Sequence, residues 1–180
     1  ALHLPAYSQK LRDPSLRDGM STPVTLAGLL NRWGQDVLPE ELGQSMLDHG
    51  DADMGTRNFS FAAALAGCYG YRAYLAYLDP ERLWQCVKQG DSVGVFMRYA
   101  ASEEQAEATG KAYLPGAFAD VEAQMMALRG FETGTEGAFA LVNDSLAPTD
   151  AEAERSYPLD AFWKAYQGLA LVITGRQKGR

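Results

Sequence analysis

The sequence predicts an α+β fold, a helical N-terminal lobe packed on a mostly antiparallel C-terminal sheet. Three observations carry this. Apolar residues fall at helical spacing up to Gly70. After it, alternating runs rich in tyrosine and valine dominate. Neither an internal repeat nor a linker interrupts the 180 residues, so 1–180 read as a single domain.

Residues 1–20 read as irregular, punctuated by Pro5, Pro14 and Gly19. A first helix follows, with Thr22 as N-cap and Pro23 at the first helical position, where its missing N–H is harmless. Leu26, Leu29, Leu30 and Trp33 give it one apolar stripe, and Gly34 stops it. A second helix starts near Pro39, its first turn carrying Glu40 and Glu41, and runs to about Leu47; residues 48–55 are a polar loop. A third begins after Asn58 or Ser60, carries Phe61, Leu65 and Tyr69, and ends at Gly70.

Tyr71–Leu78 alternates and predicts a strand. Asp79, Pro80 and Glu81 open a short helix through Lys88, and Ser92–Tyr99 is a strand with Val93, Val95 and Met97 on one face. Residues 100–120 read as a long acidic connection. Glu122–Phe131 and Ala138–Asn143 predict paired strands around a turn at Thr133, Gly134 and Thr135. A polar loop leads to a last helix opened by Pro158, with Leu159, Phe162, Trp163 and Tyr166 as its stripe; Gly168 breaks it before a final strand, Leu169–Thr174.

Composition narrows the functional classes. A net charge of −7 and a pI near 4.8 argue against nucleic acid, whose phosphates need clustered Lys and Arg. The basic run from Arg176 to Arg180 reads as a frayed terminus. No apolar run is long enough to span a bilayer. Because the sequence starts at Ala1, a preceding segment stays open.

Cys68 and Cys86 are too few for a disulfide framework or a metal site, and both read as buried thiols on helix faces. Trp33, Trp84 and Trp163 read as core. Glu103, Glu104 and Glu107 read as a solvated loop, because they lack the carbonyl and glycine spacing of a calcium loop. No cofactor or metal is expected. His3 and His49 read as surface or locally bonded residues.

Several local strings point further. Ser21-Thr22-Pro23-Val24-Thr25-Leu26-Ala27, followed by Leu29-Leu30 and Trp33-Gly34, resembles the nucleophile helix of bacterial double-glycine (bacteriocin-leader-processing) peptidases, where the usual pattern is Cys-Gly-Pro-Thr-Ser-Leu-Ala. Tyr7-Ser8-Gln9 resembles the segment that carries that group's oxyanion glutamine. Asn58 to Ala64 and Gly70 to Tyr74 resemble its central segments. Leu128-Arg129-Gly130-Phe131 and Val142-Asn143-Asp144 resemble its late strands, and Tyr157 to Trp163 its closing helix. The resemblance spans Tyr7 to Ile173 and implies a papain-like fold in a bacterial protein. It leaves the location open, with extracytoplasmic or cell-envelope settings among the options. A third reading, behind the two functional ones below, makes the chain one piece of a larger secreted or envelope protein.

A papain-like site needs a cysteine at a helix N-terminus, where the dipole and an imidazolium stabilise the thiolate. It needs a histidine base, an Asn or Asp that orients it, and a glutamine donor for the oxyanion. Carried over by resemblance, the cysteine position falls on Ser21, the histidine position on Gln124, the orienting acid on Asp144 and the oxyanion donor on Gln9. A serine hydroxyl needs a base to ionise, and the Gln124 amide is not one. Losing one such member typically lowers kcat by about 10⁶.

The resemblance therefore implies a catalytically degenerate domain, a peptide- or protein-binding or structural module without membrane span. A surviving cleft offers a neutral, hydrogen-bonding pocket for peptide backbone. For Asp144, pairing with Arg129 or capping a turn is the blander role. The alternative function is a hydrolase with a rebuilt site: Ser21 served by Asp120 or Glu122, or Cys68 as the nucleophile.

Overall fold

The computed structural model describes residues 1–15, 19–47 and 59–176. Three helices come first: α1 (Ser21–Asn31), α2 (Pro39–Leu47) and α3 (Phe59–Cys68). Then follow β1 (Tyr71–Tyr77), α4 (Pro80–Gln89), β2 (Ser92–Ala100), α5 (Glu103–Thr109), β3 (Ala112–Tyr113), β4 (Val121–Gly134) and β5 (Gly137–Asn143). The chain closes with β6 (Glu154–Pro158), α6 (Leu159–Ala165) and β7 (Tyr166–Arg176). One sheet has the order β1-β7-β2-β4-β5-β6, with every neighbouring pair on that path antiparallel and β3 added parallel to β2.

The period-two alternation of β2 divides the core between the two faces of the sheet. Phe96 packs with Leu26, Leu29, Met125 and Leu171 on the side of α1 to α3. Val93, Val95 and Met97 pack with Leu83, Met126 and Phe162 on the side of α4 and α6. Helix α1 is the centre of the first layer. Its residues Thr22 to Leu30 are all buried, so a helix read from one stripe is covered all round. Gly28 lets the N-terminal segment lie directly on it: a Cβ there would stand 2.6 Å from the Pro5 carbonyl oxygen.

Some sequence expectations need correction. Helix α1 starts at Ser21 with Met20 at the N-cap and no side-chain cap, so Thr22 is inside the helix and Pro23 is its third residue. Pro23 still sits in the first turn, where no intrahelical bond is lost. The acidic connection contains α5, which Ser102 caps by accepting from the Gln105 N–H at 3.2 Å. Helix α5 buries none of its residues, so it has no apolar stripe to betray it. The polar loop before the last helix holds the edge strand β6. Helix α6 ends at Ala165, and β7 already begins at Tyr166, carrying Gly168 at φ +80° within the strand.

Three side chains expected inside are not. Cys68 is exposed and Cys86 half-buried, both free thiols. Trp84 is 46% exposed, with the Lys88 ammonium 4.6 Å from its ring centroid. The 48–55 loop, His49, Asn58 and residues 177–180 lie outside the described residues. None of the described helices is long and apolar enough to cross a membrane.

Candidate functional site

The N-terminus of α1, the start of β4 and the loop after β5 meet at a cleft of about 300 Å³. The chain's first segment supplies the fourth wall. Ser8 is fixed there: its N–H donates to Asp150 Oδ1 at 2.6 Å and its hydroxyl to the Ala147 carbonyl. The next N–H, that of Gln9, donates to the Ser145 carbonyl at 2.8 Å. A short 3₁₀ turn from Gln9 to Leu11 then sets the Gln9 side chain in the cleft wall, where the residue is 7% exposed.

The four residues singled out in the sequence come together. Ser21 is the first residue of α1, and Gln124 lies across from it near the start of β4; both line the cleft with Gln9. Asp144 is fully buried behind Gln124, just past the end of β5. The link between them is an amide relay. Gln124 Nε2 donates to Asp144 Oδ1 at 2.8 Å and lies 3.3 Å from Ser145 Oγ, while Gln124 Oε1 accepts from the Tyr99 hydroxyl at 2.6 Å. Both ends of the amide are therefore engaged.

Asp144 collects two more donors, the Tyr157 hydroxyl at 2.7 Å and the Leu146 N–H at 2.9 Å. A buried carboxylate is tolerable only when so many donors replace water. Asp144 does cap a turn, as the blander expectation held. Its proposed pairing with Arg129 does not occur, because Arg129 pairs with Glu154 at 2.8 Å. Burial pushes the Tyr99 phenol well above its ordinary pKa, and the Asp144 carboxylate beside it adds to the shift. Tyr157 is raised in the same way, first by burial and then by Asp144. Both therefore stay protonated donors at any neutral pH.

Ser145 ties the remaining side chains together. Its hydroxyl lies 3.2 Å from Gln9 Oε1 and 3.4 Å from Ser21 Oγ. The carboxylates considered as substitute bases are engaged elsewhere, though both line the cleft. Asp120 accepts from the Ala101 N–H at 2.7 Å. Glu122 is ion-paired with Lys111 and, at 3.2 Å, with Arg98. The Lys111 hydrogen bond, with help from Arg98, holds its carboxyl below the usual range. Neither cysteine lines the cleft, nor does His3. The described residues include no cluster of three or more His, Cys, Asp or Glu able to hold a metal.

Sequence reasoning missed Tyr99, Ser145 and Tyr157 as members of this site. Each had a weak signal. Tyr99 continues the inward face of Val93, Val95 and Met97, where a buried phenol demands a partner. Ser145 follows Asp144 directly. Tyr157 belongs to β6, whose polar neighbours hid it as a strand.

No known family profile and no curated protein matches the sequence. Solved structures do. The chain is similar to a double-glycine-motif protease from an AMS/PCAT transporter in complex with its leader peptide, at 17% identity and TM-score 0.56 over 95% of this chain and 91% of that one. It is similar to a C39-like peptidase from Bacillus anthracis at 15% identity and TM-score 0.59, over 97% and 96% of the two chains. It also resembles the peptidase domain of Streptococcus ComA, a bifunctional ABC transporter of a quorum-sensing pathway. That match has 12% identity and TM-score 0.56, over 96% and 99% of the chains. The chain thus has the papain-like α+β fold of C39-like double-glycine peptidase domains, as its sequence strings implied.

Proposed function

We propose that this chain, built on the double-glycine peptidase fold, is a catalytically degenerate domain that holds peptide in its cleft without cutting it. One observation carries the reading. The residue facing Ser21 from β4 is an amide, Gln124, whose oxygen is spent on Tyr99 and whose nitrogen is spent on Asp144. An imidazole in that place would take a proton from the nucleophile and donate its other N–H to the acid. Gln124 reproduces the donation to Asp144 and cannot perform the proton transfer. Ser21 is left as a neutral hydroxyl beside another hydroxyl, Ser145.

The cleft itself favours an extended peptide. Gln124 and Val121 pair with β2 on one edge of β4, but pairing with β5 on the other edge begins only at Ala127. The stretch from Val121 to Gln124 lines the cleft, so a strand edge is presented to whatever enters. One structural neighbour is held in complex with a leader peptide. The carboxylates of Asp120 and Glu122 carry little weight as rebuilt bases, because each is already committed to a donor.

The test pairs hydrolysis with binding. Peptide and ester substrates are expected to turn over at the uncatalysed rate with wild type and with Ser21→Ala alike. A broad cysteine-peptidase warhead is expected to leave the cleft unlabelled. Mixed-sequence peptides are expected to shift the backbone NMR signals of Val121 to Gln124. Hydrolysis that disappears in Ser21→Ala overturns the proposal in favour of a serine-dependent hydrolase.

A further inference from the structure

We infer that two copies of this chain associate by pairing their β1 strands edge to edge, antiparallel, about a two-fold axis at Leu75. The contact lies away from the cleft and does not depend on what the cleft holds. The two ends of the sheet are treated unequally. Both β1 and β6 have a neighbour on one side only. An open strand edge offers unpaired N–H and C=O groups, and charge or proline usually guards it. Strand β6 is guarded. It carries Glu154 and Arg155, ends at Pro158, and its Arg155 guanidinium donates to the Gly116 carbonyl at 3.0 Å. Strand β1 has neither proline nor glycine and a single charge, Arg72. Its one register shift falls at the Tyr71 end, so residues 73–77 are regular. Tyr74 and Tyr77 stand 45% and 79% exposed on it.

The ladder with β7 fixes which groups are on offer. The Leu78 N–H donates to the Gly168 carbonyl at 2.8 Å, and β1 then pairs residue by residue from Tyr77–Leu169 back to Ala73–Ile173. Antiparallel bonds alternate along a strand. Ala76 and Tyr74 therefore also bond toward β7, while Tyr77, Leu75 and Ala73 turn N–H and C=O outward. No backbone bond reaches those outward groups from the described residues. A two-fold axis at Leu75 sets Ala73 opposite Tyr77 of the second copy and Leu75 opposite itself. Every outward group of residues 73–77 then finds a partner.

Charge selects a second copy as the occupant. The chain carries a net −7, yet residues 59–77 hold one charged side chain, Arg72. Two copies meet here without the repulsion that the net charge otherwise imposes. The same register brings Arg72 of each copy beside Asp79 of the other, two opposite-charge pairs by symmetry. Asp79 is exposed, its carboxylate 4.0 Å from Arg82 on its own chain, so it has room for a second cation. The flanking helix fits the same reading. Helix α3 lies over β1 and β7, outermost in its layer, and has no charged residue. Ser60, Ala64 and Cys68 on it are nevertheless exposed, and a helix without a charged face is normally covered. A contact of this kind lies at the small end, near or below about 1,200 Å², so the dimer is reversible. The cleft borders β4, separated from β1 by β7 and β2, and stays open.

The test is sedimentation velocity of the chain from about 1 to about 300 μM, with amide hydrogen exchange at both ends of that range. A monomer–dimer equilibrium with a dissociation constant on the order of 10 μM is expected. The amides of Ala73, Leu75 and Tyr77 should exchange at least about tenfold more slowly at the high concentration. Those of Tyr74 and Ala76, already bonded to β7, should not change. Tyr77→Lys, at an exposed position, should weaken the dimer at least about tenfold and leave the urea midpoint unchanged. Arg72→Gln and Asp79→Asn should each weaken it several-fold, and together no more than either alone. Asparagine keeps the α4 cap that Asp79 provides, so the second change reads charge and not folding. A chain that stays monomeric to about 300 μM overturns the inference. So does a dimer that survives Tyr77→Lys or leaves the three outward amides unprotected. Additive losses in the Arg72 and Asp79 pair overturn the register about Leu75.

Discussion

Replacing Gln124 by methionine tests the amide relay directly. Methionine is close in length and fills the same volume, so the change removes two polar atoms while creating little cavity. The Tyr99 hydroxyl loses its 2.6 Å acceptor inside the protein, which costs about 1–3 kcal/mol. Asp144 loses one of its three donors, a charge-assisted bond of about 1.5–3 kcal/mol. The expected loss is about 3–5 kcal/mol, large against the roughly 5–15 kcal/mol that hold a domain together. The assay is urea unfolding at pH 7, read at constant m so that the midpoint alone reports stability. Tyr99→Phe completes a double-mutant cycle, and a coupling of about 1–2 kcal/mol is expected. A single-variant loss below about 1 kcal/mol, or coupling near zero, would refute the claim that Gln124 is held at both ends.

Two further outcomes follow from the same structure. Tyr99 and Tyr157 have raised folded-state pKa values, so their neutral forms stabilise the fold fully below about pH 10, where an unfolded tyrosine titrates, and that contribution is lost as pH climbs toward the folded values. Stability should fall by about 2.7 kcal/mol per pH unit above pH 10 if these two alone contribute. Tyr166, pushed up to about 12 first by burial and then by Asp79, steepens the fall. Each Tyr→Phe change should remove about 1.4 kcal/mol per unit from the slope, measured by denaturation across pH 9.5–11. Gly28→Ala should destabilise by about 1–3 kcal/mol despite alanine's better helix propensity, because its Cβ would stand 2.6 Å from the Pro5 carbonyl oxygen. A stabilised Gly28→Ala protein in thermal melts would show that the N-terminal segment is not seated on α1.

The parts of the fold that sequence reasoning reached are those with a clear apolar signature. Val93, Val95 and Met97 share a face as their alternation requires, and Glu40 and Glu41 do open α2. The parts it missed are polar by nature. Helix α5 exposes most of its surface and is held by its own propensity and the Ser102 cap, so no periodic stripe exists to be read. Strand β6 lies at the sheet edge, where one neighbour and solvent permit Glu154, Arg155 and Ser156. At the site, Ser21, Gln9, Gln124 and Asp144 were placed by resemblance, not by any local physical signal. The tyrosines that complete the relay come from strands about 58 residues apart in sequence, a juxtaposition that only three-dimensional pairing creates.

The anchoring of Ser8 and Gln9 has a consequence for how the protein is made. The bonds that seat them, to Ala147, Asp150 and Ser145, bridge chain separations of up to 142 residues. On a ribosome, the segment around Ser8 must wait for residues 145–150 to emerge before it finds its place. Helix α1 can coil early, but the pocket at its tip is a later product of synthesis, assembled when the Ser8 segment meets the loop that follows β5.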